Sequence, residues 1–419
     1  MKLKNSALQS LAVLATFVVA GNVQTSIHAQ ETQATASASS ATTVTDSTTT
    51  QRLGIVTAKP ESGPSVKIEG GYMVPYEATI PGTEVKYSMV PIPGGKFTMG
   101  SPEDEEDRLD DEGPQFEVTV EPFWMGKHEV TWAEYKEYMK LYESLQELQR
   151  SKIRLVSPER EIDGVTAPSE LYDVEFTYGE GEGPKEPAAT MANFSARQYT
   201  KWLSLISGPF HRLPTEAEWE YACRAGTTTA FSFGDDPDDL EDHAWFEDNS
   251  DEFRMDVGDK KPNPWGLYDM HGNVAEWVLD QYDEDGYTHV EAGASLTVAQ
   301  AYREPTTVYP RVVRGGSYYS IPEECRSASR LGSDKEWKNE DPNIPKSPWW
   351  LTDLPATGVG FRLIRPLTEP ATMEEKNKFW KALVDSVMDD VESRIRDQGK
   401  GAYGIVDPQL IEDTKSIDN

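Results

Sequence analysis

The chain has 419 residues, with 40 Lys+Arg against 72 Asp+Glu and a formal net charge of −32. A surface that acidic repels phosphate backbones and anionic headgroups, which excludes a general nucleic-acid binder and a protein adsorbed to a membrane surface. A hydrophobic content of 37%, with 11 Trp, 18 Tyr and 13 Phe, supports a folded core, while two cysteines exclude a disulfide-dense scaffold or a four-cysteine zinc site.

At the N-terminus, Lys2 and Lys4 precede an apolar stretch from Ala7 to Ala20, and a polar stretch follows to the small residue Ala29. This is the layout of a secretory signal peptide over 1–29, with an uncleaved anchor as the alternative. It predicts export, to the periplasm or beyond, and no membrane association other than the signal. Residues 30–64 read as a Ser/Thr-rich linker that cannot bury a core. The folded domain is expected over 65–366. Within it, Met89 to Ser101 sets short apolar pieces around Pro93-Gly94-Gly95 and predicts a β hairpin. Phe116-Glu117-Val118-Thr119-Val120 alternates as a strand.

Capping boxes mark three helix starts: Thr131/Glu134, Ser195/Gln198 and Thr215/Glu218. The first helix is expected to run to about residue 148. Few short helices among many short strands and long loops predict an α+β fold. Residues 367–419 are expected as a helical extension. There Thr372/Glu375 forms another box, and Trp380, Leu383, Val384, Val387, Met388, Val391 and Ile395 recur at helical spacing. One amphipathic helix over 373–397 follows, closed near Gly399, either packed on the main domain or offered to a partner.

Several motifs resemble chemistry and fail it. His128-Glu129-Val130-Thr131-Trp132 lacks the second histidine of a zinc-protease helix. Gly179 to Gly183 is glycine-rich but acidic, which repels phosphate. Asp283-Glu284-Asp285-Gly286 resembles part of an EF-hand loop, yet Gln281 and Ala292 stand at its first and twelfth positions. No Gly-x-Ser-x-Gly elbow is present.

Five segments together are far more specific. They are Pro91 to Ser101 (PIPGGKFTMGS), Arg212 to Gly226 (RLPTEAEWEYACRAG), Asn263 to Trp277 (NPWGLYDMHGNVAEW), Val313 to Tyr318 (VRGGSY) and Gly358 to Leu363 (GVGFRL). In this order the chain resembles the sulfatase-modifying-factor family, the formylglycine-generating enzymes, over roughly 88–366. The resemblance implies a compact domain related to the C-type-lectin-like fold. It also implies an ancestral activity, the copper- and oxygen-dependent oxidation of a sulfatase cysteine to formylglycine by two cysteines that follow the Gly-Gly-Ser segment.

Here Ser320 occupies the position of the first of those cysteines, and Cys325 alone remains nearby. A hydroxyl is a hard ligand and does not replace a thiolate on Cu(I), so copper is not expected. The resemblance further suggests a structural disulfide between Cys223 and Cys325, with two free thiols as the alternative. It implies a calcium site at Asp269, Gly272, Val274 and Glu276, two side-chain and two carbonyl ligands. The alternative there is that Asp269 caps a turn and Glu276 pairs with an arginine. Arg314, Arg330 and Arg362 either pair with Glu216, Glu218 and Glu220 inside the domain or touch substrate.

Together these readings predict an exported member of the family, degenerate for cysteine oxidation. It would act as a binding module for a protein or glycan ligand, a sulfatase among the candidates. The alternative is an enzyme, either the copper-dependent oxidase or one of altered oxidation chemistry.

Overall fold

Short strands gathered into small sheets, rather than one large sheet, carry the architecture. The computed structural model describes residues 52–156, 164–171, 173–338 and 347–417. The signal peptide and the linker up to residue 51 lie outside the described residues. From Gln51 onward the chain forms one unit. Its first strand, Ile55–Val56, lies inside the stretch expected as linker and pairs with Gly71–Met73.

Three sheets position the site. The first is antiparallel and runs Ile364–Pro366, Phe123–Gly126, Lys86–Ile92, Tyr76–Thr79. The second runs Ser295–Thr297, Phe116–Val120, Gly95–Met99. The third runs Arg330–Gly332, Arg311–Arg314, Ala275–Gln281, Val359–Gly360. Phe116–Val120 alternates between buried and half-buried residues, as its sequence pattern requires. The mixed α+β character stands.

The expected hairpin at Pro93-Gly94-Gly95 does not form. Lys86–Ile92 and Gly95–Met99 belong to different sheets, and each pairs with a strand on either side of Pro122. The chain crosses between sheets at Gly94, where a Cβ would sit 2.9 Å from the Pro122 ring. Pro and Gly here mark a corner, which local sequence does not distinguish from a turn.

Three boxes close as read, that of Thr372 and Glu375 among them. The hydroxyl of Thr131 accepts from the Glu134 N–H, and that of Thr215 accepts from the Glu218 N–H, opening Trp132–Met139 and Glu216–Arg224. The first helix breaks at Lys140 and resumes as Leu141–Arg150. The Ser195/Gln198 box is not used. That helix starts earlier, as Asn193–Ser207, and Gln198 reaches out to the Thr166 N–H (3.0 Å) and the Trp380 carbonyl (2.8 Å).

The C-terminal extension is not one helix. Met373–Trp380 ends and Asp385–Arg396 begins anew, followed by a strand, Ala402–Ile405, and a helix, Leu410–Ile417. The break has a cause. Arg197 donates to the carbonyls of Lys378 and Phe379, and Gln198 to that of Trp380. Side chains thus take carbonyls that a continuing helix would use. Trp380 is buried beneath, and its indole N–H donates 2.8 Å to the His211 carbonyl. Ala402–Ile405 pairs antiparallel with Gly164–Ala167. The extension is therefore packed on the domain. Among the described residues no helix is long and apolar enough to cross a membrane.

Trp380→Ala is expected to cost about 3–5 kcal/mol, the usual range for emptying a buried Trp site. Urea unfolding reads it as a lowered midpoint with an unchanged slope.

Candidate functional site

The segment after Arg311–Arg314 builds the site. That strand is central and fully buried, so the chain leaves the core at its end. It does so through Gly315 (φ 101°) and Gly316 (φ 70°), both in the left-handed region that favours glycine. Side chains are excluded there for a second reason. A Cβ on Gly315 would lie 3.0 Å from the Trp219 ring, and one on Gly316 2.7 Å from the Cys325 sulfur. The turn that follows is closed by the Ser320 N–H donating to the Ser317 carbonyl at 3.0 Å.

Above this turn opens a cleft of about 260 Å³, lined by Leu109, Ser317, Tyr319, Ser320, Leu331 and Pro355 among others. Tyr319 donates to the Pro355 carbonyl and Tyr318 to Thr357 Oγ1, which fixes the far wall. Ser320 is buried, with its hydroxyl 3.4 Å from that of Ser317. Among the described residues no histidine or carboxylate is hydrogen-bonded to that hydroxyl.

The two cysteines do not form the expected bridge. Both are free and buried. They belong to different packing clusters, Cys223 with Trp219 and Leu267, Cys325 with Phe231 and Phe246. His271 stands between them, its Nδ1 bonded to the Cys325 carbonyl at 2.7 Å and its Nε2 3.8 Å from the Cys223 sulfur. Burial pushes the Cys223 thiol up to about 12 and raises the Cys325 thiol as well, so both are protonated at neutral pH. Burial also pushes His271 down to about 4, leaving it neutral. Cu(I) wants adjacent thiolates. A hydroxyl at Ser320 and a buried protonated thiol at Cys325 do not fit it.

Behind the cleft lies a grid of arginines and carboxylates. Arg314 pairs with Glu220, Arg330 with Glu216 (2.6 Å) and Arg212 with Glu218 (2.7 Å). Burial alone would raise Glu216 and Glu218, yet the facing guanidinium groups bring both below the usual carboxylate range. Arg362 pairs with Glu276, not with the helix Glu216–Arg224. The three arginines singled out in the sequence are thus structural.

The expected calcium ligands divide. Glu276 gives both oxygens to the Arg362 Nε and one also to the Trp219 indole N–H, at 2.6–2.7 Å. It does not fit a cation site. Asp269 does. One of its oxygens accepts from the Gly258 N–H at 2.7 Å, and its carboxyl lies in hydrogen-bond contact with that of the buried Glu129. No other side chain among the described residues bonds the Glu129 oxygens. Burial and the Asp269 charge hold Glu129 well above the usual carboxylate range, and burial pushes Asp269 up to about 6. Glu129 was passed over in the sequence as part of a failed zinc motif. The available signal was its position, a carboxylate between the strand Phe123–Gly126 and the apolar start of a helix.

Comparison with known proteins supplies the context. Residues 78–342 match the sulfatase-modifying factor enzyme 1-like domain. The chain is 31% identical over 243 residues to the serine/threonine-protein kinase pkn1 of Chlamydia caviae, a match covering 58% of this chain and 35% of that protein. It thus spans about a third of the length of that relative. It is 29% identical over 280 residues to the mouse formylglycine-generating enzyme, covering 60% of this chain and 73% of the enzyme. It is 31% identical over 242 residues to the bovine inactive C-alpha-formylglycine-generating enzyme 2, covering 50% and 76%. Among solved structures, PvdO from Pseudomonas aeruginosa aligns with a TM-score of 0.49 and 28% identity, over 69% of this chain and 100% of that one.

Thiol titration of the denatured, unreduced protein is expected to find two free cysteines. The geometry also names the partner that Cys223 lacks, since the Ser327 hydroxyl lies 3.7 Å from its sulfur. Ser327→Cys is expected to close a bridge with Cys223 under oxidation and to add up to about 4–5 kcal/mol of stability. A non-reducing peptide map and the urea midpoint check it.

Proposed function

The chain belongs to the sulfatase-modifying factor enzyme 1-like family, and from that premise we propose that it binds a ligand without oxidising a cysteine. The observation that carries this reading is the pair Ser320 and Cys325: a hydroxyl where the chemistry needs a thiolate, and a thiol held protonated by burial. An inactive relative at 31% identity supports it, because it shows a member named for lost activity.

The ligand site is the cleft over Gly315 to Ser320, and its ligand is a protein segment. Among the described residues nine large hydrophobics are exposed. Leu109 and Leu331 line this cleft, and Ile321 and Leu354 adjoin it in sequence, next to Ser320 and Pro355. Such a rim suits apolar side chains of a peptide better than a sugar. A sulfatase segment carrying cysteine is the first candidate. The N-terminal segment, residues 1–29, supports a place outside the cytoplasm.

In the same reading the domain carries calcium. Asp269 would hold it, with Glu129 in place of Glu276 and carbonyl oxygens of Gly272 and Val274 completing a hard-oxygen set. The ion would neutralise two buried carboxylates and so would be structural.

A labelled sulfatase-type cysteine peptide is expected to bind without conversion when copper and oxygen are supplied, as read by anisotropy and mass spectrometry. Leu331→Asp is expected to weaken that binding about tenfold or more. Ser320→Cys is expected to restore no conversion, because Cys325 stays protonated. Copper-dependent conversion by the unaltered protein would establish the oxidase instead.

Calcium has its own check. Chelation is expected to lower the thermal midpoint, since an ion bound only to the folded state stabilises by mass action. Glu129→Gln is expected to remove that shift, and an unchanged midpoint in metal-loaded protein counts against the site.

A further inference from the structure

Six of the buried arginines in this protein follow a rule. Arg212, Arg224, Arg314, Arg326, Arg330 and Arg362 each hold a carboxylate. The rule has a physical basis, because a buried charge without a counter-charge is costly. Arg197 and Arg311 depart from it. They are only 2% and 6% exposed, and among the described residues no carboxylate lies within ion-pair distance of either.

Both line one cleft at the start of the Arg311–Arg314 strand, distinct from the peptide cleft proposed above at its end. Trp277 and Leu351 form its floor on the domain side. Ala382 and Leu383 wall it from the C-terminal extension, at the break between Met373–Trp380 and Asp385–Arg396. Arg197 spends two of its N–H groups on the carbonyls of Lys378 and Phe379, the negative end of that helix. Arg311 spends Nε on the Val308 carbonyl at 3.2 Å, and its buried Nη1 has no partner at all. The cleft offers about 50 Å³, several times the room a single water needs.

We propose that this cleft is a binding site for a small oxyanion, of carboxylate or phosphate size, held by the free fork of Arg311 with Arg197 beside it. A guanidinium presents parallel N–H groups that match the two oxygens of such a group. The anion would supply the counter-charge that Arg212, Arg224, Arg314, Arg326, Arg330 and Arg362 find in a glutamate. Burial supports the same reading, since it presses Arg197 down to about 10 and, with the Arg197 charge nearby, Arg311 down to about 9. The site also couples anion binding to the C-terminal extension, because one of its walls is that segment.

The test uses the full chain and three simple ions. Acetate and inorganic phosphate, added at constant ionic strength against chloride, are expected to raise the thermal midpoint by ~3 °C or more near saturation. Acetate alone would assign the site to carboxylates, phosphate alone to phosphates, and either supports it. In Arg311→Met the shift is expected to vanish, while the ligand-free midpoint holds or rises because an unpaired buried charge has gone. Arg311→Lys, which keeps the charge but loses the fork, is expected to weaken binding at least tenfold and serves if the Met variant does not fold. No shift beyond chloride in the unaltered protein, or an equal shift in the Arg311 variant, overturns the proposal.

Discussion

Three carboxylates on one short helix organise this domain. Glu216, Glu218 and Glu220 are all buried and face three different guanidinium groups. Through Arg314 and Arg330 the helix fixes two neighbouring strands of the third sheet. Through Arg212, which bridges to Ile364, it fixes the edge of the first. Few strands here exceed five residues, so ladders alone would hold them weakly. Buried ion pairs are poor sources of net stability, but removing one partner is costly. Their effect is to make one arrangement of short strands far better than its neighbours.

That constraint explains how the scaffold holds its shape without relying on the atoms that line the cleft. The cleft over Gly315 to Ser320 is shaped by glycine backbone, by Trp219 behind it and by the arginine grid, none of which uses a thiol. The frame therefore does not depend on whether residue 320 is a serine or a cysteine. A fold of this kind can keep a concave surface while its reactive atoms are exchanged, which is why the family relation carries shape with more authority than activity.

What the sequence made legible was local. The boxes at Thr131, Thr215 and Thr372 are satisfied within four residues, so they read directly. Ser195 failed because Gln198 has better partners elsewhere, on Thr166 and Trp380, and no local pattern announces them. The single C-terminal helix failed for the same reason, its carbonyls claimed by residues some 180 positions away. In the site, the pairing of Arg314 and Arg330 with the glutamate helix was legible as an alternative, since buried arginines need such partners. Arg362 pairs instead with Glu276, the residue expected as a calcium ligand. Glu129 and the Cys223–Ser327 contact depend on long-range packing and left no trace in spacing.

The pairing of Arg362 with Glu276 bears on where this protein can be cut. The family match ends at residue 342, before Arg362 and before every element of the C-terminal extension. A fragment trimmed to those limits would keep Glu276 in the core, bonded to Trp219, and discard the cation that neutralises it. It would also strip Ala402–Ile405 from Gly164–Ala167, baring a row of backbone groups open to a neighbouring chain. Sequence similarity thus draws its boundary inside the cooperative unit. A fragment that aggregates would report on the missing arginine and the bared strand, not on the domain's intrinsic solubility.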